Sequence, residues 1–194
     1  ANRLAARTGQ GGIVGANVGK NKETEKAEED YVTGIERVTP LADYLVVNIS
    51  SPNTEGLRDL QARQSLETLL TASLDARARS LPDATQRPPL LVKVAPDLNE
   101  GEMGDIAEVS LTTGIDGIII GNTTLDRPET LRSPEKGEGG GLSGKPLLTK
   151  STECLAGFWR LTEGKVPLVG CGGVSSGADA YAKIRAGASL VQLY

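Results

Sequence analysis

The sequence predicts an α/β fold, in the form of an incomplete (β/α)8 barrel with strands three to eight present. Short apolar runs alternate with segments of helical periodicity along the whole chain, as expected for parallel strands joined by helices. The runs are almost continuously apolar, which is typical of parallel strands covered on both faces. Polar residues nevertheless occur near the ends of four runs, and a barrel, unlike an open sheet, takes its ligand groups from the ends of many strands. The four residues are Asn17, Asn48, Lys93 and Asn122.

The predicted strands are six short runs rich in Val, Ile and Leu. They are IVGANV (13–18), YLVVNIS (44–50), LLVKVA (90–95), GIIIGN (117–122), VPLVGC (166–171) and SLVQLY (189–194). A complete barrel takes roughly 250 residues. With 194 residues, we expect a single partial barrel domain over 1–194, without the first two strands and the last helix.

The predicted helices lie between these strands, at 23–38, 62–79, 100–113, 149–162 and 177–186. The first of them opens with acidic residues, which suit the positive end of a helix dipole. Two loops separate the remaining elements. The segment 80–89 is polar and Pro-containing, and is interpreted as a plain connector. The segment 125–144 is long for a compact domain and Gly-rich at its end, which favours backbone contact with a ligand.

Composition excludes several classes of function. Lys and Arg number 21 against 25 Asp and Glu, and a net charge of −4 offers no attraction to a phosphodiester backbone, so nucleic acid is not an expected partner. The chain contains no His, which removes Ser-His-Asp and Cys-His catalysis. Cys154 and Cys171 supply neither a disulfide framework nor the ligands for zinc or an iron–sulfur cluster, and both are interpreted as packing residues. No metal site is predicted.

Two Gly-rich segments are candidates for binding phosphate, GGGLSG (139–144) and GCGGVSSG (170–177). Glycines let backbone N–H groups approach an anion, and a helix start adds its dipole. In barrels the usual phosphate site follows strands seven and eight, which is where the second segment would lie. The alternative for either segment alone is a tight turn without a ligand.

Polar residues inside apolar strands are the second group of candidates. Lys93 must either extend to solvent or meet an anion or an electron-rich ligand, with a structural salt bridge as the alternative. The amides of Asn17, Asn48 and Asn122 would together suit a planar ligand rich in carbonyl and N–H groups, although each alone could cap a loop. The segment 50–54 is a Ser/Pro/Asn turn whose hydroxyls could supply a proton acceptor.

Seven segments occur in the order typical of dihydroorotate dehydrogenases, and the chain resembles that family from about residue 12 to residue 194. They are VGANVGKNK, DYLVVNISSPNTEGLRDLQ, LLVKVAPDL, DGIIIGNTT, GGLSGKPL, VPLVGCGGVSSG and KIRAGASLVQLY. The resemblance implies a (β/α)8 barrel that holds FMN at its mouth and oxidises dihydroorotate to orotate in de novo pyrimidine (UMP) biosynthesis. The soluble class of the family has Cys as its base and the membrane-associated class has Ser, and Ser51 stands at that position. The resemblance therefore implies class 2, with a ubiquinone-type quinone as acceptor and no iron–sulfur partner subunit.

The resemblance also implies roles for individual residues. Those that would contact the flavin are Asn17, Asn48, Lys93 and Gly121. Those around the FMN phosphate would be Ser143, Gly144, Gly172, Gly173 and Tyr194. The substrate would be bound by Asn48, Asn53, Asn122 and Thr123. Ser51 would take a proton from the substrate, Thr54 would help to relay it outward, and Lys93 would stabilise the charge that develops on the reduced flavin.

Two alternatives stay open at this point. Another FMN-dependent barrel, of the dihydropyrimidine or dihydrouridine type, would keep the cofactor and change the substrate, but such enzymes typically use Cys as the base. A non-catalytic flavin-binding barrel would bind FMN without responding to dihydroorotate.

The segments GKNK and GCGGVSSG resemble those of mitochondrial inner-membrane members, with the cytoplasmic side of a bacterial inner membrane as the alternative. Membrane association is expected through an N-terminal region outside this chain.

Overall fold

The fold is a single curled sheet of six parallel strands, seen in a computed structural model that describes residues 1–7 and 9–194. The strands pair in sequence order, as consecutive strands of a barrel do, which confirms the predicted incomplete barrel. They are β1 (Gly15–Val18), β2 (Tyr44–Asn48), β3 (Leu90–Val94), β4 (Gly117–Ile120), β5 (Leu168–Cys171) and β6 (Leu190–Gln192). The helices are α1 (Asn2–Ala5), α2 (Ala27–Val38), α3 (Arg63–Ser80), α4 (Glu100–Thr113), α5 (Leu148–Leu161) and α6 (Gly177–Arg185).

The two faces of the sheet have different surroundings, because side chains alternate along a strand. The outer face packs against the helices and forms the main core. Its buried strand residues include Leu45, Val47, Val92, Ile118 and Leu168, and the helices contribute Tyr31, Leu66, Ile106 and Phe158. The inner face carries a smaller apolar cluster of Val46, Ile119 and Val169. Polar groups on this inner face therefore lie inside the curve of the sheet.

The boundaries of the strands are tighter than predicted, by one to three residues each. Apolar residues that flank the strands are buried without being part of the ladder, as Ile49 at 0%, Ala95 at 1% and Val166 at 5% exposure illustrate. The predicted strands are too long because they were drawn from hydrophobicity, which the buried flanking residues share with the strands. Helix α4 matches its prediction of 100–113, whereas α2 begins at Ala27 rather than at residue 23.

The two predicted loops differ in how they are organised. The segment 80–89 contains one 3-10 turn (Ala84–Gln86), capped by the Asp83 side chain. The segment 125–144 wraps around the Arg127 guanidinium, which donates to the carbonyl oxygens of Lys136, Glu138 and Gly140 at 2.8–3.1 Å. Among the described residues, none of the helices has the length and hydrophobicity needed to cross a bilayer.

Candidate functional site

A cavity of about 500 Å³ opens at the carboxyl ends of β3 to β6. Nine of the predicted site residues line it, namely Lys93, Gly121, Asn122, Thr123, Ser143, Gly144, Gly172, Gly173 and Tyr194. The structure thus brings the residues predicted around the phosphate together with Lys93 and two of the residues predicted to bind substrate. The other predicted residues, Asn17, Asn48, Ser51, Asn53 and Thr54, are not among those that line this cavity.

The glycine-rich end of the cavity has the geometry of an anion site. Gly144, Gly172 and Gly173 have φ angles of 76°, 100° and 77°, in the left-handed region that favours glycine. Within residues 1–7 and 9–194, their N–H groups donate to no backbone carbonyl. A Cβ built at Gly144 would meet no heavy atom within 4 Å, so the space beside that loop is open. Uncommitted N–H groups around open space fit a phosphate group.

A fully buried lysine lies beneath the second of these loops. Lys183 of α6 donates from Nζ to Ser151 Oγ at 2.5 Å, and Ser151 Oγ lies 3.1 Å from the carbonyl oxygen of Gly172. Burial lowers the pKa of the Lys183 ammonium to about 8. At the rim, hydrogen bonds from Lys145 and from the Ser175 N–H hold the pKa of the Asp179 carboxyl well below its usual range. The contacts of Ser151 with Gly172 and of Asp179 with Ser175 hold the loop after β5 in place.

Asn48 and Lys93 are direct neighbours on the inner face of the sheet, paired in the register of β2 and β3. Lys93 makes no salt bridge within the described part of the chain, so the structural alternative for this lysine finds no support. Asn17 of β1 pairs with Val46, which lies two residues before Asn48 in β2 and so further from the carboxyl end of the strand. Asn17 lines a separate groove beside α2. Its role beside a flavin stays a prediction.

Ser50 connects two of the predicted asparagines. Its hydroxyl donates to Asn48 Oδ1 at 2.7 Å and accepts from Asn122 Nδ2 at 3.0 Å. Ser50 is fully buried, and Tyr31 Oη donates to the Asn48 carbonyl oxygen at 2.7 Å. The buried Ser50 hydroxyl therefore holds both side-chain amides in place, and Asn122 also lines the cavity.

Ser51 follows directly and has a different environment. Its partly exposed Oγ accepts one hydrogen bond, from the Asn53 N–H at 3.2 Å, and among residues 1–7 and 9–194 its proton has no acceptor. Asn53 is exposed and Thr54 is half-buried in the same turn. No hydrogen bond joins the hydroxyls of Ser51 and Thr54 in the described structure, so the relay through Thr54 stays a prediction.

The end of the long loop packs onto this turn and onto the cavity wall. A Cβ built at Gly141 would lie 1.8 Å from Thr123 Oγ1 and 3.1 Å from Pro52 Cγ, and one at Gly140 would lie 3.4 Å from Asn53 Oδ1. At Gly141 only glycine allows so close an approach. The loop therefore packs against two of the residues predicted to bind substrate, Asn53 and Thr123, and its contacts bring the turn after β2 close to Thr123.

Sequence reasoning missed several residues of the cavity. Cys171 is the last residue of β5, as it is of the predicted strand 166–171, and it lines the cavity beside its register partner Gln192 of β6. The prediction of Cys171 as a packing residue is therefore incomplete, whereas Cys154 is buried, as predicted, with its thiol pKa raised by burial to about 12. The period-two pattern of β6 could have identified Gln192, because it places that side chain on the inner face.

The family model for dihydroorotate dehydrogenase matches residues 2–194. The chain belongs to the dihydroorotate dehydrogenase family. The chain is 66% identical to the dihydroorotate dehydrogenase (quinone) of Azorhizobium caulinodans, with 94% of this chain and 51% of the relative covered. It is 55% identical to the mitochondrial dihydroorotate dehydrogenase (quinone) of Arabidopsis thaliana, with 94% of this chain and 40% of the relative covered.

Solved structures of the family share the fold. A ligand-free DHODH crystal structure from Eimeria tenella superposes with a TM-score of 0.91 at 46% identity, over all of this chain and 59% of that one. A DHODH complex with ferulenol from the same organism gives a TM-score of 0.87 at 47% identity, over 94% of this chain and 52% of the other. The chain spans about half the length of the curated relatives and solved structures that it matches.

Proposed function

We propose that the complete protein containing this chain oxidises dihydroorotate to orotate with bound FMN and passes the electrons to a quinone, in de novo pyrimidine synthesis. The observation that carries the proposal is the cavity in which Lys93, Asn122 and two loops with uncommitted N–H groups meet, beside a turn that carries the free hydroxyl of Ser51. The names of the relatives at 66% and 55% identity support both the substrate and the acceptor.

The residues of the cavity fit FMN, the cofactor of this family. Gly144, Gly172 and Gly173 would hold the phosphate with backbone N–H groups, beside Ser143 and Tyr194. Lys93, Asn48, Asn17 and Gly121 would lie along the flavin. When bound, FMN supplies a two-electron acceptor that takes a hydride from the substrate.

The remaining steps fall to side chains of this chain. Asn48, Asn53, Asn122 and Thr123 would hold the ring of the substrate through its carbonyl and N–H groups. Ser51 would accept the proton from the carbon next to the ring carbonyl, with Thr54 passing it outward, while the adjacent carbon loses a hydride. One proton and one hydride leave together, and a C=C bond forms in the ring. The substrate is thereby oxidised by two electrons.

The proposal includes a membrane location, because the quinone acceptor is lipid-soluble. Residues outside this chain would provide the attachment. Of the two locations predicted from the sequence, the higher identity to a bacterial relative, 66% against 55% for the plant mitochondrial one, favours a bacterial inner membrane. Fractionation of cells that express the complete protein, with and without its N-terminal region, tests both the location and the attachment.

The deciding experiment measures flavin absorbance in the complete, purified protein under anaerobic conditions. Dihydroorotate should bleach the flavin, and a quinone analogue should restore its colour, while dihydrouracil should leave the spectrum unchanged. Bound flavin that dihydrouracil bleaches instead would favour the dihydropyrimidine type of enzyme. Flavin that neither compound reduces would favour a non-catalytic barrel and would refute the proposal.

A Gly173→Ala substitution tests the phosphate loop. Its Cβ would lie 2.5 Å from Leu148 N at a φ of +77°, so the loop must move or become strained. Strain of this kind costs about 1–3 kcal/mol, which corresponds to roughly 5–150-fold weaker FMN binding. Titration of the stripped protein with FMN measures this. Gly137→Ala is the matched control, because a Cβ there meets nothing within 4 Å, and unchanged affinity in the Gly173 variant would contradict the assignment.

A further inference from the structure

One arginine joins the loops that follow three successive strands. Arg58 donates from Nε to the carbonyl oxygen of Ser50 at 3.1 Å, from Nη1 to Asp97 Oδ2 at 2.9 Å, and from Nη2 to the carbonyl oxygen of Thr123 at 3.1 Å. Ser50 follows β2, Asp97 follows β3 and Thr123 follows β4. The planar guanidinium thus connects the peptide that leads into Ser51 with the backbone of a residue in the cavity wall.

Asp97, which accepts the hydrogen bond from Arg58 Nη1, is itself held by several donors. Its Oδ1 accepts hydrogen bonds from Thr124 Oγ1 and, at 3.0 Å, from Lys150 Nζ, and its Oδ2 also accepts from the Leu125 N–H at 3.0 Å. Burial alone would raise the pKa of the Asp97 carboxyl, but the donors from Thr124, Leu125, Lys150 and Arg58 outweigh it and hold the pKa below its usual value. The carboxylate is therefore saturated with donors and fixed in place.

The backbone of Arg58 is equally constrained. It begins a 3-10 turn (Arg58–Gln61), and Gln61 Oε1 accepts a hydrogen bond from the Ala95 N–H at 2.9 Å, just after β3. The Arg58 side chain is 19% exposed and that of Asp97 is 16% exposed. An arginine fixed at both its backbone and its guanidinium sets the distances between the groups that it bridges.

We infer that Arg58 is a positioning residue, which holds the turn of Ser51 and the substrate-binding wall at Thr123 in the separation that proton removal requires. The inference rests on the proposed function. Arg58 lines neither the cavity nor the inner face of the sheet, so it acts through the two carbonyl groups and not by touching substrate. Misplacement of a reacting group by about 1 Å can cost on the order of 100-fold in rate.

The test uses Arg58→Ala and Arg58→Lys in the complete, flavin-loaded protein. Stopped-flow reduction by saturating dihydroorotate should slow about 10–100-fold in both variants, because lysine keeps the charge beside Asp97 but lacks the planar fork that reaches both carbonyls. Guanidinium ion at millimolar concentration should restore part of the rate in Arg58→Ala and none in Arg58→Lys. Flavin affinity should stay within about threefold of the parent, since Arg58 is not among the residues that line the cavity.

Arg63→Ala is the matched control, because Arg63 lies five residues further on and pairs with Asp105 and Glu108 at the exposed surface. In Arg63→Ala, dihydroorotate should reduce the flavin at the parental rate. If Arg58→Ala does not retain flavin, Arg58→Lys decides the question alone. A flavin-loaded Arg58→Lys that reduces within threefold of the parent overturns the inference. A parent protein that dihydroorotate does not bleach refutes the proposed function instead, so the two failures are distinguishable.

Discussion

Replacing Ser51 with alanine is expected to slow reduction of the bound flavin by dihydroorotate about 10²–10⁴-fold, the contribution typical of general-base catalysis. The Ser51 hydroxyl accepts one backbone hydrogen bond and donates to none of the described residues, so it is available to exchange a proton with a ligand. Stopped-flow absorbance at saturating dihydroorotate measures the rate, and flavin content should stay unchanged because Ser51 lies outside the cavity lining.

Ser133→Ala provides a control with the same local geometry. Ser133 accepts a hydrogen bond from the N–H two residues later at 3.2 Å, as Ser51 does, but lies exposed in the long loop. In Ser133→Ala, dihydroorotate should reduce the flavin at the parental rate. A Ser51→Ala protein whose flavin is reduced at a rate within threefold of the parent would exclude Ser51 as the base and leave the hydroxyl of Ser50 or Thr54 to be tested.

Local signals determined which helix boundaries could be predicted. Helix α4 begins at a capping box in which Asn99 Oδ1 accepts from the Glu102 N–H and Glu102 bonds back to Asn99, and it ends at Gly114 with a φ of 72°. Each of these signals is visible in the sequence. Among the described residues, helix α2 has no side-chain cap at its start, and its acidic first turn, Glu28 to Asp30, begins five residues after Glu23, where the predicted helix began. Its start is fixed instead by Asn21, which bonds to Asp30 at 2.8–2.9 Å.

The candidate site was predictable where a residue type was unusual for its element. A lysine within an apolar strand and glycines between a strand and a helix both depart from the local pattern, and Lys93, Gly172 and Gly173 indeed line one cavity. Arg58 and Asp97 gave no such signal, because both residue types are common in loops. Their importance depends on how loops after separate strands meet, and that follows from register and curvature rather than from local sequence.

The second large effect is expected for Lys93→Met, which removes the only cationic side chain predicted beside the flavin. A charge-assisted hydrogen bond contributes about 1.5–3 kcal/mol. For a two-electron couple this corresponds to a flavin reduction potential lower by roughly 30–65 mV. Loss of a donor aimed at developing charge also slows the chemical step by about 10²–10³-fold. Spectroscopic titration against a reference dye gives the potential, and stopped-flow reduction gives the rate.

Lys165→Met is the control for this substitution, because Lys165 is exposed and pairs with Glu163 at 2.6 Å, away from the cavity. Its potential and rate should match those of the parent. Lys93→Arg keeps the charge and should recover most of the potential, while the bulkier guanidinium leaves the rate reduced. A parental potential in flavin-loaded Lys93→Met would contradict a role in stabilising the reduced flavin, since a cation next to the ring must favour the form with more negative charge. Lys93 would then serve to orient Asn48, its neighbour in the register.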